Sequence, residues 1–162
     1  MNFQNPNDTI CALSTASGVG AIALIRLSGK DAVEITNAVF SKNLTHVPTH
    51  TAHFGRILKE GDLLDEVVVT VYKNPKSFTG EDSVEIACHG SRFIQTEILK
   101  LLIEKGARLA GPGEFSLRAF MNGKMDLSQT EAVADLIMSN SKAAHKVAMH
   151  QMRGGFASEI NE

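Results

Sequence analysis

Ala21-Ile22-Ala23-Leu24-Ile25-Arg26-Leu27 is a nearly continuous apolar run broken by one charge. Such a run predicts a central strand covered on both faces. Upstream, Thr9–Ser14 reads as a second strand, and the turn-like Ala16-Ser17-Gly18 lies between the two. Downstream, Ala32, Ile35 and Val39 form a helical stripe within 31–40, and the polar stretch 41–49 is a loop. Thr51–Ile57 and Glu66–Tyr72 predict an antiparallel pair joined through Glu60-Gly61-Asp62, with β-branched valines filling the second strand.

Ser83–Cys88 reads as another short strand. Ser91 is placed to cap a helix with Ile94, Ile98, Leu101 and Leu102 on one face, and Lys105-Gly106 suits its end. Ala110-Gly111-Pro112-Gly113 then breaks the chain before a short helix over 114–121. Ser128-Gln129-Thr130-Glu131 has the form of a capping box opening one long helix that ends at Arg153-Gly154-Gly155, with a further segment starting in 156–162. Apolar pairs such as Leu136/Ile137 and Val147/Ala148 give this helix a stripe that needs a partner surface. Strands and helices mixed with hairpins predict an α+β fold: a mixed, mostly antiparallel sheet with helices packed on it, followed by a C-terminal helical segment.

The 162 residues fit one domain, or one domain with an appendage. A net charge of −2 gives no general basic footprint for nucleic acid, so this chain is not expected to be the main phosphate-binding surface if RNA is a partner. Cys11 and Cys88 sit far apart in apolar runs and read as buried free thiols in a reducing, cytoplasmic setting. The polar start lacks the charged-then-apolar order of a signal peptide, and no apolar stretch is long enough for a membrane span.

Two residues stand out chemically. Arg26 shares a strand face with Ile22 and Leu24, and a buried guanidinium without a partner is very costly. It is therefore a structural ion pair, an end-of-strand side chain reaching water, or a contact for an anionic or polar ligand. Glu85 alternates with Ile86, so it faces solvent, pairs with a cation such as Arg26, or serves a ligand. A carboxylate can accept two adjacent N–H donors from a heterocycle edge at once.

Other signals are weak. His46, His50 and His53 have no cysteine or paired carboxylate at ligand spacing, so no metal site is expected. Cys88 and His89 are adjacent in a strand and point to opposite faces, which argues against a thiolate–imidazole pair. Gly29-Lys30-Asp31 and Gly123-Lys124-Met125 fail to complete a phosphate-cradling Gly-Lys-Ser/Thr loop, so no nucleotide-hydrolysing site and no catalytic residue is expected here.

Three blocks together are more specific. Gly20–Gly29, Ser77-Phe78-Thr79-Gly80-Glu81-Asp82 with Val84-Glu85-Ile86 and His89-Gly90, and Gly111-Pro112-Gly113-Glu114-Phe115-Ser116 with Arg118-Ala119-Phe120 and Asn122–Leu127 occur in order. In order and spacing they resemble the MnmE (TrmE) family of tRNA modification GTPases, from about Thr9 to the end of the chain. The resemblance implies a folate-binding and dimerisation domain over 1–120 and the beginning of a helical domain over 121–162. It implies binding of 5-formyltetrahydrofolate or another tetrahydrofolate derivative, with the family's folate-contacting arginine, glutamate and lysine falling on Arg26, Glu85 and Lys124. It further implies a homodimer, a flavin-dependent partner of the MnmG (GidA) family, and tRNA reached through the full complex. The folate supplies a one-carbon unit for modification of the wobble uridine. GTP, magnesium and potassium belong to a G domain that these residues do not include, so the chain is expected to be part of a longer GTP hydrolase.

Ser17-Gly18-Val19-Gly20 departs from the family's usual Pro-Gly-x-Gly, and Ser91 stands where a second glycine is common. The alternatives are a folate-dependent aminomethyltransferase-like enzyme, or a purely structural dimerisation domain.

Overall fold

The computed structural model describes Asn5 and residues 7–154, and places a six-stranded sheet at the centre of the fold. In chain order the elements are β1 (Ile10–Leu13), β2 (Ile22–Ser28), α1 (Ala32–Asn37), β3 (Thr51–Lys59), β4 (Asp62–Tyr72) and β5 (Ser83–His89). They continue with α2 (Arg92–Glu104), β6 (Arg108–Leu109), α3 (Glu114–Met121), α4 (Leu127–Met138) and α5 (Lys142–Met152). The strand order is β3-β4-β5-β2-β1-β6, antiparallel throughout except for the short β1–β6 pair. The expected α+β class holds. The two-residue β6 had no signal in the sequence, because a strand that short carries no periodicity.

Register explains the core. Ile25 of β2, Ile86 of β5 and Val69 of β4 lie side by side across the sheet, and Leu27, Val84 and Val71 form the next row. All six are fully buried beneath α1 and α2, which contribute Ile35, Ile98, Leu101 and Leu102. Ser91 caps α2 by accepting the Ile94 N–H, and Gly106 leaves the helix at φ 112, a conformation that favours glycine. Cys11 and Cys88 are buried free thiols whose pKa burial pushes up to about 11, so neither is poised as a nucleophile.

β2 is central but covered on one face only. Ala23, Ile25 and Leu27 face the helices, whereas Ile22 is 68% exposed and Leu24 and Arg26 are half-buried. The run looks doubly buried in the sequence because its outward positions are also apolar, and that outward face carries the candidate site.

The expected long C-terminal helix is two helices. Ser139-Asn140-Ser141 stops α4, and the Ser141 hydroxyl starts α5 by accepting the Ala144 N–H. The capping box also begins earlier than expected. Asp126 accepts the Gln129 N–H while the Gln129 side chain accepts the Asp126 N–H, so α4 starts ahead of Ser128. The two helices pack on each other, leaving Ile137 and Met138 exposed. The segment expected over 156–162, and Gly155 before it, lie outside the described residues. Among the described residues no helix is long and apolar enough to cross a membrane.

Gly90 is fixed by contact. A Cβ there would sit 2.2 Å from the Gly20 carbonyl oxygen, and the two segments exchange backbone hydrogen bonds, Gly20 N–H to Gly90 O at 3.1 Å and Gly90 N–H to Ala21 O at 3.2 Å. Gly20 itself has ordinary space for a Cβ. Gly90→Ala is therefore expected to cost about 1–3 kcal/mol in chemical denaturation, as overpacking does, and Gly20→Ala about 0.5 kcal/mol or less.

Candidate functional site

Arg26 and Glu85 are directly opposite partners in the β2–β5 register and project from the uncovered face. The Arg26 Nε and Nη2 both donate to Glu85 Oε1, at 2.9 and 2.7 Å. Of the alternatives the sequence allows, the structure realises the ion pair. The other carboxylate oxygen, Oε2, is lightly used, its one contact among the described residues being the Tyr72 hydroxyl at 3.4 Å. Burial and the neighbouring Glu85 charge push the Tyr72 phenol above its ordinary value, so it stays an O–H donor. The rings of Phe78 and Phe115 flank the guanidinium at 5.3 and 5.6 Å from their centroids.

Arg26, Phe78 and Phe115 border a cleft of about 730 Å³ that is also lined by the end of β1, the Gly111–Gly113 loop, and Val133 and Ile137 of α4. That volume falls in the range of small-molecule sites, roughly 300–1,000 Å³. Its walls are mostly apolar and aromatic, with one fixed cation. The arrangement suits a flat, partly apolar ligand that carries a polar edge.

Lys124 lies apart from this pair. Its ammonium donates to the Pro75 carbonyl at 3.1 Å, and its stem runs beside Gly80, which holds φ 79 at the tip of the 77–82 loop. Neither Lys124 nor Glu85 is among the residues lining the cleft. The structure thus brings Arg26 and Glu85 together and sets Lys124 on the outer wall of the loop that presents Phe78.

The loop is held from beneath. Ser28 Oγ donates to Glu81 Oε2 at 2.6 Å and shares a 2.7 Å hydrogen bond with Thr79 Oγ1, while Asn122 Nδ2 donates to the Thr79 carbonyl at 2.8 Å. Glu81 also receives Arg118, which belongs to an ion cluster that the sequence reading missed. Arg118 Nη2 donates to Asp8 Oδ1 at 2.6 Å, Arg108 Nε to Asp8 Oδ2 at 2.6 Å, and Arg108 Nη2 to Glu114 Oε1 at 2.6 Å. Glu114 Oε2 accepts the Gly111 N–H at 2.8 Å and so pins the loop that lines the cleft. The available signal was the i,i+4 spacing of Glu114 and Arg118; their partners Asp8 and Glu81 are remote in sequence.

A second missed pair is Asp65–His89. Asp65 is buried and accepts both the His89 backbone N–H, at 2.9 Å, and its Nδ1, at 2.7 Å, while the imidazole itself stays largely exposed. His89 and Cys88 face opposite sides of β5, as alternation requires. Two of the three histidines in 46–53 serve local contacts: His50 packs edge-on against Tyr72, and His53 Nε2 of β3 meets Thr51 Oγ1 at 2.8 Å. No group of three potential metal ligands occurs among the described residues.

Residues 9–124 match the family described as GTP-binding protein TrmE N-terminus. The chain belongs to that family. The TrmE N-terminal match takes in β1 through α3, holds Arg26 and Glu85, and ends on Lys124. Relatives named tRNA modification GTPase MnmE extend the likeness. The protein of Cytophaga hutchinsonii is 63% identical over 98% of this chain, and that of Flavobacterium johnsoniae 59% over 94%. That of Bacteroides thetaiotaomicron is 52% identical over 96%. The chain spans only about a third of the length of these curated relatives, 34–35%.

The ion cluster has a pH signature. Burial pushes Asp8 and Glu114 up, but hydrogen bonds from Arg108, together with Arg118 at Asp8 and the Gly111 N–H at Glu114, outweigh it and hold both below their ordinary values of 3.8 and 4.5. Carboxylates depressed in the folded state stabilise it above their unfolded values and lose that contribution as pH falls through the folded ones. The melting temperature is therefore expected to be level above about pH 5 and to drop below about pH 4. Glu114→Gln should cost about 3 kcal/mol at neutral pH, because it strips a buried partner from two arginines, and should flatten the acid limb of the profile.

Proposed function

We propose that this chain is the folate-binding and dimerising portion of a tRNA modification GTPase. The observation that carries the reading is the Arg26–Glu85 pair beside an aromatic-walled cleft, with Glu85 Oε2 left almost unused. That oxygen can accept from a heterocycle edge while Oε1 keeps Arg26, so a ligand need not break the ion pair. Phe78 and Phe115 offer faces for a flat ring. Lys124 adds a cation once it leaves the Pro75 carbonyl. A bound tetrahydrofolate derivative would be held by Arg26, Glu85 and Lys124 and would supply a one-carbon unit. What these residues do themselves is bind, orient and keep water from the ring.

Dimerisation is supported by the same face of the sheet. Phe54 of β3 and Val68 of β4 are register partners, 59% and 40% exposed, and Ile22 of β2 continues the apolar surface on the same side. A second copy of the chain would cover it. The names of the relatives, tRNA modification GTPase MnmE, support a role of the whole protein in tRNA modification. Action on the wobble uridine, in the cytoplasm and with a flavin-dependent partner of the MnmG family, belongs to the same proposal. The GTPase chemistry would then lie outside the present residues. A second reading, a structural dimerisation domain without ligand, is favoured by one observation: Arg26 and Glu85 already satisfy each other.

Calorimetric titration of 5-formyltetrahydrofolate into the purified chain separates the two readings. Binding is expected, and a flat trace from folded dimer leaves only the structural reading. Glu85→Ala should weaken binding by about 2 kcal/mol or more, roughly thirtyfold, through the lost charged hydrogen bond; unchanged affinity would remove Glu85 from the site. Light scattering at micromolar concentration should report a dimer.

A further inference from the structure

The segment Lys142–Arg153 carries Lys142, Lys146 and Arg153 and no acidic residue. It contributes +3 to a chain whose total is −2, so the remainder is at −5. At 3.6 residues per turn, Lys142, Lys146 and Arg153 fall within about 40° of one another around the α5 axis. Ala144, Val147, Ala148 and Gln151 lie on the other side and face the groove against α4, where Asp135 also sits. The one acidic side chain of that groove is thus turned away from the cations. Lys142, Lys146 and Arg153 are all exposed, and none joins a salt bridge among the described residues. By contrast, the buried Arg118 and the half-buried Arg108 are consumed by carboxylates.

We propose that this face of α5 is a contact for the phosphate backbone of RNA. The inference rests on the reading of the whole protein as one that acts on tRNA, and it names where the present chain touches that partner. Charge complementarity decides the class of partner. Three cations run about 16 Å along one helix face, and a nucleic-acid strand offers a phosphate for about every 3.4 Å of axis. Such contacts position the RNA and read no sequence, in keeping with the absence of phenylalanine, tyrosine and tryptophan from α5. A local stripe of this kind is compatible with the acidic total, because screening confines each charge to about 10 Å at ordinary salt.

The test is fluorescence anisotropy of a labelled, unmodified tRNA transcript titrated with the chain from about 50 to 200 mM salt. The triple variant Lys142→Ala, Lys146→Ala, Arg153→Ala keeps good helix formers and is expected to stay folded. It should lose tenfold or more in affinity, and its salt slope should fall by about two to three units. A control that removes the same charge elsewhere, Lys30→Ala, Lys42→Ala, Lys105→Ala, should lose less than threefold. Lys142→Arg with Lys146→Arg should bind as the unsubstituted chain does. Equal losses in the triple variant and the control would overturn the proposal, as would no tRNA binding by the unsubstituted chain. Polyglutamate binding as tightly as tRNA would assign the face to an acidic protein and overturn it too. The folate titration is independent, so either reading can fail without the other.

Discussion

Arg118 is almost fully buried, and its guanidinium reaches Asp8 before β1, Glu81 in the 77–82 loop and Glu114 on its own helix. Taking a permanent charge out of water costs several kcal/mol, so the segments that supply these carboxylates must stay where the arginine finds them. One side of the cleft is built on that requirement. Glu81 fixes the loop that carries Phe78, and Glu114 fixes both the start of α3, which carries Phe115, and the Gly111 backbone. Arg108 closes the cluster by bridging Asp8 and Glu114. Segments that share no regular hydrogen-bond ladder are thereby locked into one arrangement, and the aromatic walls inherit its rigidity.

The Arg26–Glu85 pair follows a different logic. It is a cross-strand pair on the uncovered face of the sheet, with the side chains 24% and 18% exposed. Opposite charges facing each other across a ladder contribute at most about 1 kcal/mol, so the pair is not what holds β2 to β5; the buried rows on the other face do that. A partly hydrated pair whose second carboxylate oxygen holds only the long Tyr72 contact would be inexpensive to engage, because a ligand could add to it without first separating the charges. Stability rests on one face of these two strands, and the proposed recognition would use the other.

Much of this was legible in the sequence, and the gaps have physical causes. Periodicity located β1 to β5, α2 and α3, because each buries one face and its side chains alternate accordingly. It found β2 but misjudged its coverage, because the outward positions Ile22 and Leu24 are as apolar as the inward ones. It also fused α4 and α5, since the apolar pairs keep helical spacing across Ser139–Ser141 while the break is made by hydroxyl capping. Arg26 and Glu85 were visible as charges in apolar strands. The Arg118 cluster was not, because its acidic partners Asp8 and Glu81 are separated from it by 110 and 37 residues, and only the fold brings them together.

The placement of Lys124 bears on how the cleft is used. Its ammonium sits on the Pro75 carbonyl at the back of the loop, while Phe78 at the front of that loop faces Arg26. Asn122 ties the start of the same turn to the Thr79 carbonyl, so Lys124 can swing only about its own side-chain bonds, with the backbone held. A neutral carbonyl is a weaker anchor for an ammonium than a carboxylate, because it lacks the attraction between two full charges. A ligand bearing an anionic group would therefore draw the lysine away at small cost. Arg26, with two charged hydrogen bonds and two aromatic neighbours, would keep its place. On the proposed folate-binding reading, Arg26 would be the rigid cation that sets orientation, and Lys124, outside the cleft lining, the loosely held one that a ligand's anionic tail would recruit.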